Sequence, residues 1–380
     1  MRRITGVAGA ALLVLLAGCA VAPEPGPTVT ASSAAPTPTA TPTPVEPARA
    51  AVDDMTVREQ AASVVMGHIP TTDPGELKEY MSAGYGGFIL MGANLSGDPK
   101  KVRRVTKAIR GDNSIPPLIA IDQEGGVVSR LAWDDFPAAE RLATQTPEKT
   151  EKAFEQRADL VAEVGANTNF GIVADVPSGP ESFIFSRSYG TTAAAVSHRV
   201  TAAVHGERSR VLSTLKHFPG HGAAAGDSHH VIPTTDRSYK KWQKRDAVPF
   251  AAGIDAGADL LMFGHLTYAK VDKEPASLSA RWHEIARNKL GFDGVMITDD
   301  LGMLTSSGHK KYRDPAQTAV QALVAGNDMV LMVMGSTPDT AADIVDAIVD
   351  AVKDGTLSAE RLRDASEHVM RLRVSLKDSE

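Results

Sequence analysis

The chain has 380 residues, of which 43% are hydrophobic and 23% are charged, and these are ordinary values for a globular protein. Its formal net charge of −6 gives no reason to expect nucleic acid as a partner. Cys19 is the only cysteine in the sequence, so an intramolecular disulfide bond is excluded.

The first 18 residues have the order of a bacterial secretory signal peptide. Arg2 and Arg3 precede an apolar run, and small residues follow it directly before Cys19. The run is too short to indicate a membrane-spanning helix. A cysteine at this place resembles a bacterial lipobox, in which the cysteine is lipidated and becomes the mature N-terminus. An ordinary signal peptide with an incidental cysteine is the alternative. We expect a protein that is lipid-anchored at Cys19 on the extracytoplasmic face of the cell membrane.

Residues 19–49 are predicted to form a tether between this anchor and the folded domain. The stretch 20–48 is rich in Ala, Pro, Thr, Ser and Val and has almost no charge. Such a composition cannot bury a core, so we expect a disordered and partly extended segment. The folded domain is predicted to cover residues 50–380.

Short apolar runs alternate with amphipathic stretches of helical length from residue 50 onward. The predicted strands are 64–66, 87–90, 118–121, 170–176, 212–217, 260–263, 295–298 and 329–333. The predicted helices are 76–82, 101–110, 149–165, 193–208, 242–256, 280–290, 315–325 and 338–353. This alternation predicts an α/β fold, a (β/α)8 TIM-type barrel with a single catalytic domain. A doubly wound open sheet is the alternative, but no Gly-x-Gly-x-x-Gly motif follows a strand.

Polar residues stand where several of the apolar runs stop. The active sites of such barrels lie at the C-terminal ends of the strands, so these residues are expected to meet at one end of the barrel. One such ending could be a helix cap, but capping does not account for five of them. The endings are Asp122 with Arg130, Asp175 with Arg187, Lys216-His217, His265 with Tyr268, and Asp299-Asp300.

A loop rich in glycine and alanine follows the fifth predicted strand and ends in Asp227-Ser228-His229. Residues i and i+2 of an extended segment share a side, so Asp227 is predicted to hold one nitrogen of His229 and leave the other for a substrate. A zinc site on His217 and His221 is one alternative, but Pro219 between them disfavours the helix that it needs. A surface loop with incidental histidines is the other.

Asp299 and Asp300 are neighbours at the end of a strand, so their side chains point to opposite faces. Only one of these carboxylates is therefore expected to line the mouth of the barrel. A carboxylate nucleophile with a separate proton donor is what retaining glycoside hydrolysis requires. No Gly-x-Ser-x-Gly motif provides a serine nucleophile instead.

Several longer motifs connect these residues. They are Ala-Ile-Asp-Gln-Glu-Gly-Gly-x-Val-x-Arg-Leu at 120–131, Asn-Thr-Asn-Phe at 167–170, Arg-Ser-Tyr-Gly at 187–190, Lys-His-Phe-Pro-Gly-His-Gly at 216–222 with Asp-Ser-His at 227–229, His-x-x-Tyr at 265–268 and Gly-Phe-Asp-Gly-Val-Met-Ile-Thr-Asp-Asp-Leu-Gly-Met at 291–303. With them, the chain from about residue 50 to residue 345 resembles the single-domain bacterial exo-β-N-acetylglucosaminidases of glycoside hydrolase family 3.

The resemblance implies roles for particular residues. Asp299 would be the nucleophile, and His229 the general acid/base with Asp227 as its partner. Non-reducing N-acetylglucosamine would be bound by Asp122, Arg130, Arg187, Lys216 and His217. No metal and no cofactor are implied, and we expect a monomer. Thr298 and Gly302 stand where many relatives have serine, next to the nucleophile rather than on it.

The expected function is the removal of terminal β-linked N-acetylglucosamine from peptidoglycan-derived glycans. A histidine is neutral once it has lost its proton, so it would not repel an anionic acceptor. A phosphorylase of the same glycosides is therefore one alternative. A non-catalytic glycan-binding lipoprotein is another, which the presence of all the motif positions disfavours.

Overall fold

A closed barrel of eight parallel strands forms the centre of the computed structural model, which describes residues 45–376. The barrel strands are β1 Val65–Gly67, β2 Gly87–Ile89, β3 Leu118–Ile121, β4 Thr168–Val173, β5 Leu212–Phe218, β6 Leu260–Phe263, β7 Val295–Asp300 and β8 Met329–Leu331. Each strand pairs in parallel with the next one along the chain, and β8 pairs with β1 to close the ring. The predicted TIM-type barrel is confirmed, and the open sheet is wrong.

Helices connect the strands on the outside of the barrel. They are α1 Val45–Asp53, α2 Val57–Ser63, α3 Pro74–Met81, α4 Pro99–Arg110, α5 Ala139–Leu142, α6 Pro147–Glu163, α7 Ala193–Glu207, α8 Tyr239–Lys244, α9 Ala247–Asp255, α10 Ala280–Glu284, α11 Leu301–Ser306, α12 Pro315–Ala325, α13 Thr340–Asp354 and α14 Ala359–Ser375. Two short strand pairs lie outside the barrel. Gln123–Gly125 pairs with Val128–Ser129 in an antiparallel arrangement, and Thr234–Thr235 pairs with Thr267–Tyr268 in a parallel one.

The interior of the barrel is an apolar core that is closed at one end by α14. Residues from the strands, such as Met66, Phe170 and Ile297, form one buried cluster with Val369 and Leu372 of α14. The Arg373 side chain of the same helix donates hydrogen bonds to the backbone carbonyls of residues 115 and 116, which precede β3. Helix α14 therefore covers the N-terminal ends of the strands, and the polar strand endings lie at the other end.

The helix predicted over residues 242–256 is two helices in the structure. Helices α8 and α9 are separated at Arg245, whose φ of −134° and ψ of −69° leave the helical region. The next residue, Asp246, is buried and its carboxylate contacts the guanidinium groups of Arg237 and Arg245. Pro249 is the third residue of α9, and a proline lacks the N–H and clashes with the carbonyl four residues earlier, which here belongs to Arg245, so one helix cannot run through this point.

Helical structure is present before residue 50, inside the stretch 19–49 that is predicted to be a tether. Helix α1 starts at Val45, and its Ala48 and Val52 are buried against Met370 and Val374 of α14. The signal peptide predicted over 1–18, the lipidation site Cys19 and most of the tether lie outside the described residues. None of the helices within residues 45–376 has the length and apolar character that crossing a membrane requires.

Candidate active site

A buried lysine from β5 organises the cluster at the C-terminal end of the barrel. The Lys216 Nζ atom lies 2.9 Å from Asp122 Oδ1 and 2.7 Å from Glu124 Oε1. Arg130 Nη2 lies 3.4 Å from the other oxygen of Asp122. Burial alone would raise the pKa of Asp122, but Lys216 and Arg130 outweigh it and lower this pKa to about 2. Asp122 is therefore an anion at any working pH.

Glu124 forms salt bridges with both Lys216 and Arg187. Arg187 donates to both of its carboxylate oxygens, from Nε over 2.9 Å and from Nη2 over 2.6 Å. This two-point contact fixes the plane of the guanidinium group as well as its position. Glu124 was not among the predicted site residues. The sequence feature that could have identified it is its position two residues after Asp122 in a short extended segment, because residues i and i+2 of such a segment share a side.

Asp175 fixes the tautomer of His217. The Nδ1–H group of His217 donates to Asp175 Oδ2 over 2.8 Å, which leaves Nε2 as an acceptor 3.4 Å from Arg187 Nη2. Burial, with help from the neighbouring Arg187, lowers the pKa of His217 well below its usual value. A neutral ring with a fixed tautomer follows. Asp175 ended a predicted strand but was not proposed for the site.

The carboxylate of Asp175 also anchors the turn after β5. It accepts hydrogen bonds from the backbone N–H groups of His217, over 3.2 Å, and His221, over 2.5 Å. Tyr268 donates its hydroxyl to the Gly220 carbonyl over 2.8 Å, and Trp242 donates to the Pro219 carbonyl over 2.8 Å. Tyr268 of the His-x-x-Tyr motif therefore holds the turn after β5.

Asp299 and Asp300 lie on opposite sides of β7, as the strand geometry predicts. Asp300 accepts three backbone N–H groups, from Gly302 over 2.9 Å, Val333 over 2.8 Å and Met334 over 2.9 Å. Its carboxylate caps α11 and holds the segment after β8. Asp300 is thus occupied by the backbone, which leaves Asp299 as the acid of the pair that faces the cluster.

Imidazole groups surround the Asp299 carboxylate. Burial alone would raise its pKa, but the neighbouring His217 and His265, the backbone N–H of Asp300, which donates to Asp299 Oδ1 over 2.8 Å, and the Lys216 cation together lower it. His265 donates from Nε2 to the Asp300 carbonyl over 2.8 Å, and its Nδ1 lies 2.7 Å from the hydroxyl of Ser277. His265 therefore fixes the end of β7. An ionised carboxylate held in this way has the properties of a nucleophile.

Asp227 and His229 form the predicted pair, but in a turn rather than in an extended segment. Asp227 Oδ1 lies 2.6 Å from His229 Nδ1 and accepts the backbone N–H of His229 over 3.0 Å. The Asp227 carbonyl accepts the N–H groups of the two residues that follow His229. The expectation of an extended segment was wrong, because the aspartate side chain bonds to backbone two residues on and so forms the turn itself.

The pair lies at the edge of the site. The His229 side chain is 46% exposed. Among the contacts of residues 45–376, its ring meets Asp227 and the ring of Phe183, and no hydrogen bond joins it to the cluster around Lys216. The structure thus brings together Asp122, Arg130, Arg187, Lys216, His217 and Asp299, with Asp227 and His229 on a separate loop.

One group of side chains in residues 45–376 has its ligand atoms close enough together to hold a metal ion, and it lies outside this site. It consists of Asp328, Asp364 and His368, at the end of the barrel covered by α14. Arg287 and Arg361 each contact a different oxygen of Asp328. These guanidinium groups take the acceptor positions that a cation would use.

Comparison with known proteins links this site to carbohydrate chemistry. Residues 56–372 match the family described as the glycosyl hydrolase family 3 N-terminal domain. A β-hexosaminidase of Bordetella parapertussis is 36% identical over 297 residues, which cover 73% of this chain and 80% of that protein. A similar protein from Methylobacillus flagellatus, also named β-hexosaminidase, is 34% identical over 277 residues, covering 68% of this chain and 76% of its own length.

Solved structures give the same result. The family 3 β-N-acetylglucosaminidase of a Paenibacillus species superimposes with a TM-score of 0.78 at 29% identity, over 85% of this chain and 63% of that one. The β-N-acetylhexosaminidase of Beutenbergia cavernae superimposes with a TM-score of 0.75 at 28% identity, over 84% of this chain and 99% of that one.

Proposed function

Because the chain belongs to glycoside hydrolase family 3 and is a glycoside hydrolase, we propose that it is a retaining, exo-acting β-N-acetylhexosaminidase. Its substrate is proposed to be a glycan with terminal N-acetylglucosamine, which the names of its relatives support. The observation that carries the proposal is the difference between the two neighbouring acids. Three backbone amides occupy Asp300, whereas the ionised Asp299 faces a cluster of hydrogen-bonding side chains.

The cluster provides a donor subsite for a polar ring. Asp122 accepts hydrogen bonds from sugar hydroxyls, Lys216 and Arg187 donate to sugar oxygens, and His217 offers the free Nε2 atom. Arg130 holds the second oxygen of Asp122. The members hold one another through salt bridges before any sugar is present. Such preorganisation avoids the entropy cost of ordering the side chains on binding.

The reaction has two displacement steps. A carboxylate oxygen of Asp299 attacks the anomeric carbon while the bond from that carbon to the leaving oxygen breaks, and the protonated His229 gives its proton to that oxygen. Asp227 holds the other ring nitrogen and stabilises the imidazolium. Neutral His229 then takes a proton from water as the water attacks the anomeric carbon, and Asp299 leaves. Two inversions give net retention.

The proposed site of action is outside the cytoplasmic membrane, on glycans derived from peptidoglycan. This proposal is supported by the order of the N-terminal residues, with two arginines, an apolar run and Cys19. Lipid attached to Cys19 would keep the enzyme next to the cell wall, where such glycans arise. A tether of Ala, Pro and Thr residues after Cys19 would give the domain reach.

Trapping of the glycosyl-enzyme tests the mechanism. A slowly hydrolysed N-acetylglucosaminide is expected to add the mass of one glycosyl group to the peptide that contains Asp299. Asp300→Asn is the matched control and should still be labelled, whereas Asp299→Asn should not. Label on another peptide, or turnover through an inverted product, would refute the proposal. Product analysis with inorganic phosphate present separates hydrolysis, which gives free N-acetylglucosamine, from phosphorolysis, which gives the sugar 1-phosphate.

A further inference from the structure

A phenyl ring that belongs to none of the motifs lies between the loop of His229 and the donor subsite. Phe183 follows β4 and is 37% exposed. Its neighbour Ile184 is fully buried, and Ser188 donates a side-chain hydrogen bond to the Ile184 carbonyl over 2.9 Å. Arg187, four residues after Phe183, is fixed by its two contacts with Glu124. Phe183 therefore stands on a segment that is anchored in the body of the barrel.

The ring of Phe183 contacts functional groups on both sides. The centroid of its ring lies 6.0 Å from that of His229, with the planes at 69°, which is an edge-to-face contact. It lies 5.7 Å from the ring of His221, which is 1% exposed, and 6.0 Å from the guanidinium carbon of Arg187. Phe183 is thus the side chain that connects the His229 imidazole with the cation of the donor subsite.

Asp227, the partner of His229 in the same turn, does not fix the position of the pair relative to the barrel. Asp227 orients the imidazole, but it is two residues away and moves together with it. The turn follows a glycine- and alanine-rich segment, in which Gly226 has a φ of +104°. The residues directly before the turn, Ala225 and Gly226, are exposed, whereas Ser228 within it is buried. Phe183 is a side chain from another element whose ring contacts the His229 imidazole.

We propose that Phe183 is a positioning residue that holds His229 at the mouth of the barrel. The proposal rests on the proposed role of His229 as acid/base. The phenyl ring supports the imidazole through this edge-to-face contact, and it contacts Arg187 of the donor subsite at the same time. Phe183 takes no part in bond making. It raises the fraction of molecules in which the imidazole is within reach of the glycosidic oxygen.

The test compares leaving groups in matched variants. Phe183→Ala is expected to lower kcat/KM about 2- to 10-fold for an alkyl N-acetylglucosaminide, the factor that corresponds to loss of one aromatic contact. For the 2,4-dinitrophenyl glycoside kcat/KM should stay within about twofold, since this leaving group departs without protonation. Phe183→Tyr keeps the ring and should restore the alkyl substrate. Val127→Ala removes an apolar side chain that is 75% exposed and should leave both values unchanged.

Two further measurements separate this proposal from the one on which it rests. The NMR shifts of the His229 ring protons should change in Phe183→Ala and not in Val127→Ala, because the phenyl ring current is lost. In a His229→Ala background, Phe183→Ala should have no further effect on the alkyl substrate. An effect that persists there, or equal losses on both leaving groups, overturns the positioning role. If His229→Ala itself shows no dependence on the leaving group, the acid/base assignment fails instead.

Discussion

Two identical side chains in adjacent positions are expected to respond very differently to substitution. Asp299→Ala removes the proposed nucleophile and should lower kcat on the order of 10⁴-fold or more, with folding intact. Asp300→Ala leaves three backbone N–H groups without their acceptor. It should lower the free energy of unfolding by about 1–3 kcal/mol. Denaturant unfolding and steady-state kinetics on both variants check this. A stable, inactive Asp300 variant beside an active Asp299 variant would contradict the assignment.

His229 is expected to show the signature of an acid/base. His229→Ala should lose most activity on substrates with poor leaving groups, which need a proton, and least on activated aryl glycosides. Azide should partly restore turnover of an activated substrate, because a small anion can attack the glycosyl-enzyme without a base. The product should be a glycosyl azide of retained configuration, identified by NMR. Asp227→Asn should show a weaker form of this behaviour, and an absence of azide product would remove His229 from the mechanism.

His283 is expected to make the protein sensitive to acid. Its ring is buried, stacked on Phe263 at 4.0 Å, and burial lowers its pKa to about 4. Since the unfolded chain titrates near 6.5, this group stabilises the fold fully above that pH. By pH 4 about 3 kcal/mol of this contribution is lost. His283→Phe keeps the stacked ring, so its free energy of unfolding should fall less between pH 7 and pH 4. Parallel slopes for the two proteins would contradict this.

At the scale of elements, the strands were predictable and several helices were not. Strands of a parallel barrel are covered on both faces, so each one reads as a continuous apolar run between turns. Helix α1 has only small or β-branched apolar residues and depends on α14 for its burial, so local composition suggested a tether. The break between α8 and α9 was missed although Pro249, four residues after Arg245, indicates it in the sequence.

The site residues that lie at the C-terminal ends of barrel strands were predictable from the sequence. Asp122, Lys216 and Asp299 could be found because polar groups at the C-terminal ends of buried strands have few structural explanations. Glu124 and Asp175 were given no role in the site, although Glu124 stands two residues after Asp122 and Asp175 ends a predicted strand. Both hold other side chains, and the fold determines which side chains those are. Phe183 has no motif at all. Its relation to His229 arises from the meeting of two loops.

Helix α14 is expected to contribute stability without affecting catalysis. Leu372→Ala opens a cavity in the barrel interior and should lower the free energy of unfolding by about 2–4 kcal/mol. The kcat/KM value should not change, because this residue lies at the end of the barrel opposite the site. Glu360→Ala, on the exposed first turn of α14, is the matched control and should change stability by less than about 0.5 kcal/mol. Urea unfolding measures both. A loss of activity in folded Leu372→Ala would contradict the separation.

At the scale of the whole molecule, the proposed anchor and the catalytic domain should be separable. Cys19→Ala is expected to release the protein from the membrane fraction, since stable anchoring needs more than one acyl chain on that cysteine. Its activity on a soluble aryl glycoside should equal that of the wild type. Fractionation after a salt wash, followed by immunoblotting, measures the release. Retention of the variant in washed membranes would disprove lipidation at this residue.

The contact between the first and the last described helix sets an order of events during biosynthesis. Helix α1 packs against α14, and Asp53 at the end of α1 pairs with Arg363 of α14, more than 300 positions later in the chain. The end of the barrel that α14 covers cannot close until this helix has left the ribosome. Until then the apolar interior remains uncovered at that end. Contacts of such long range form late in folding. For a chain whose site of action is proposed to lie outside the cytoplasmic membrane, this delay would help export in an unfolded state, because premature closure would block passage.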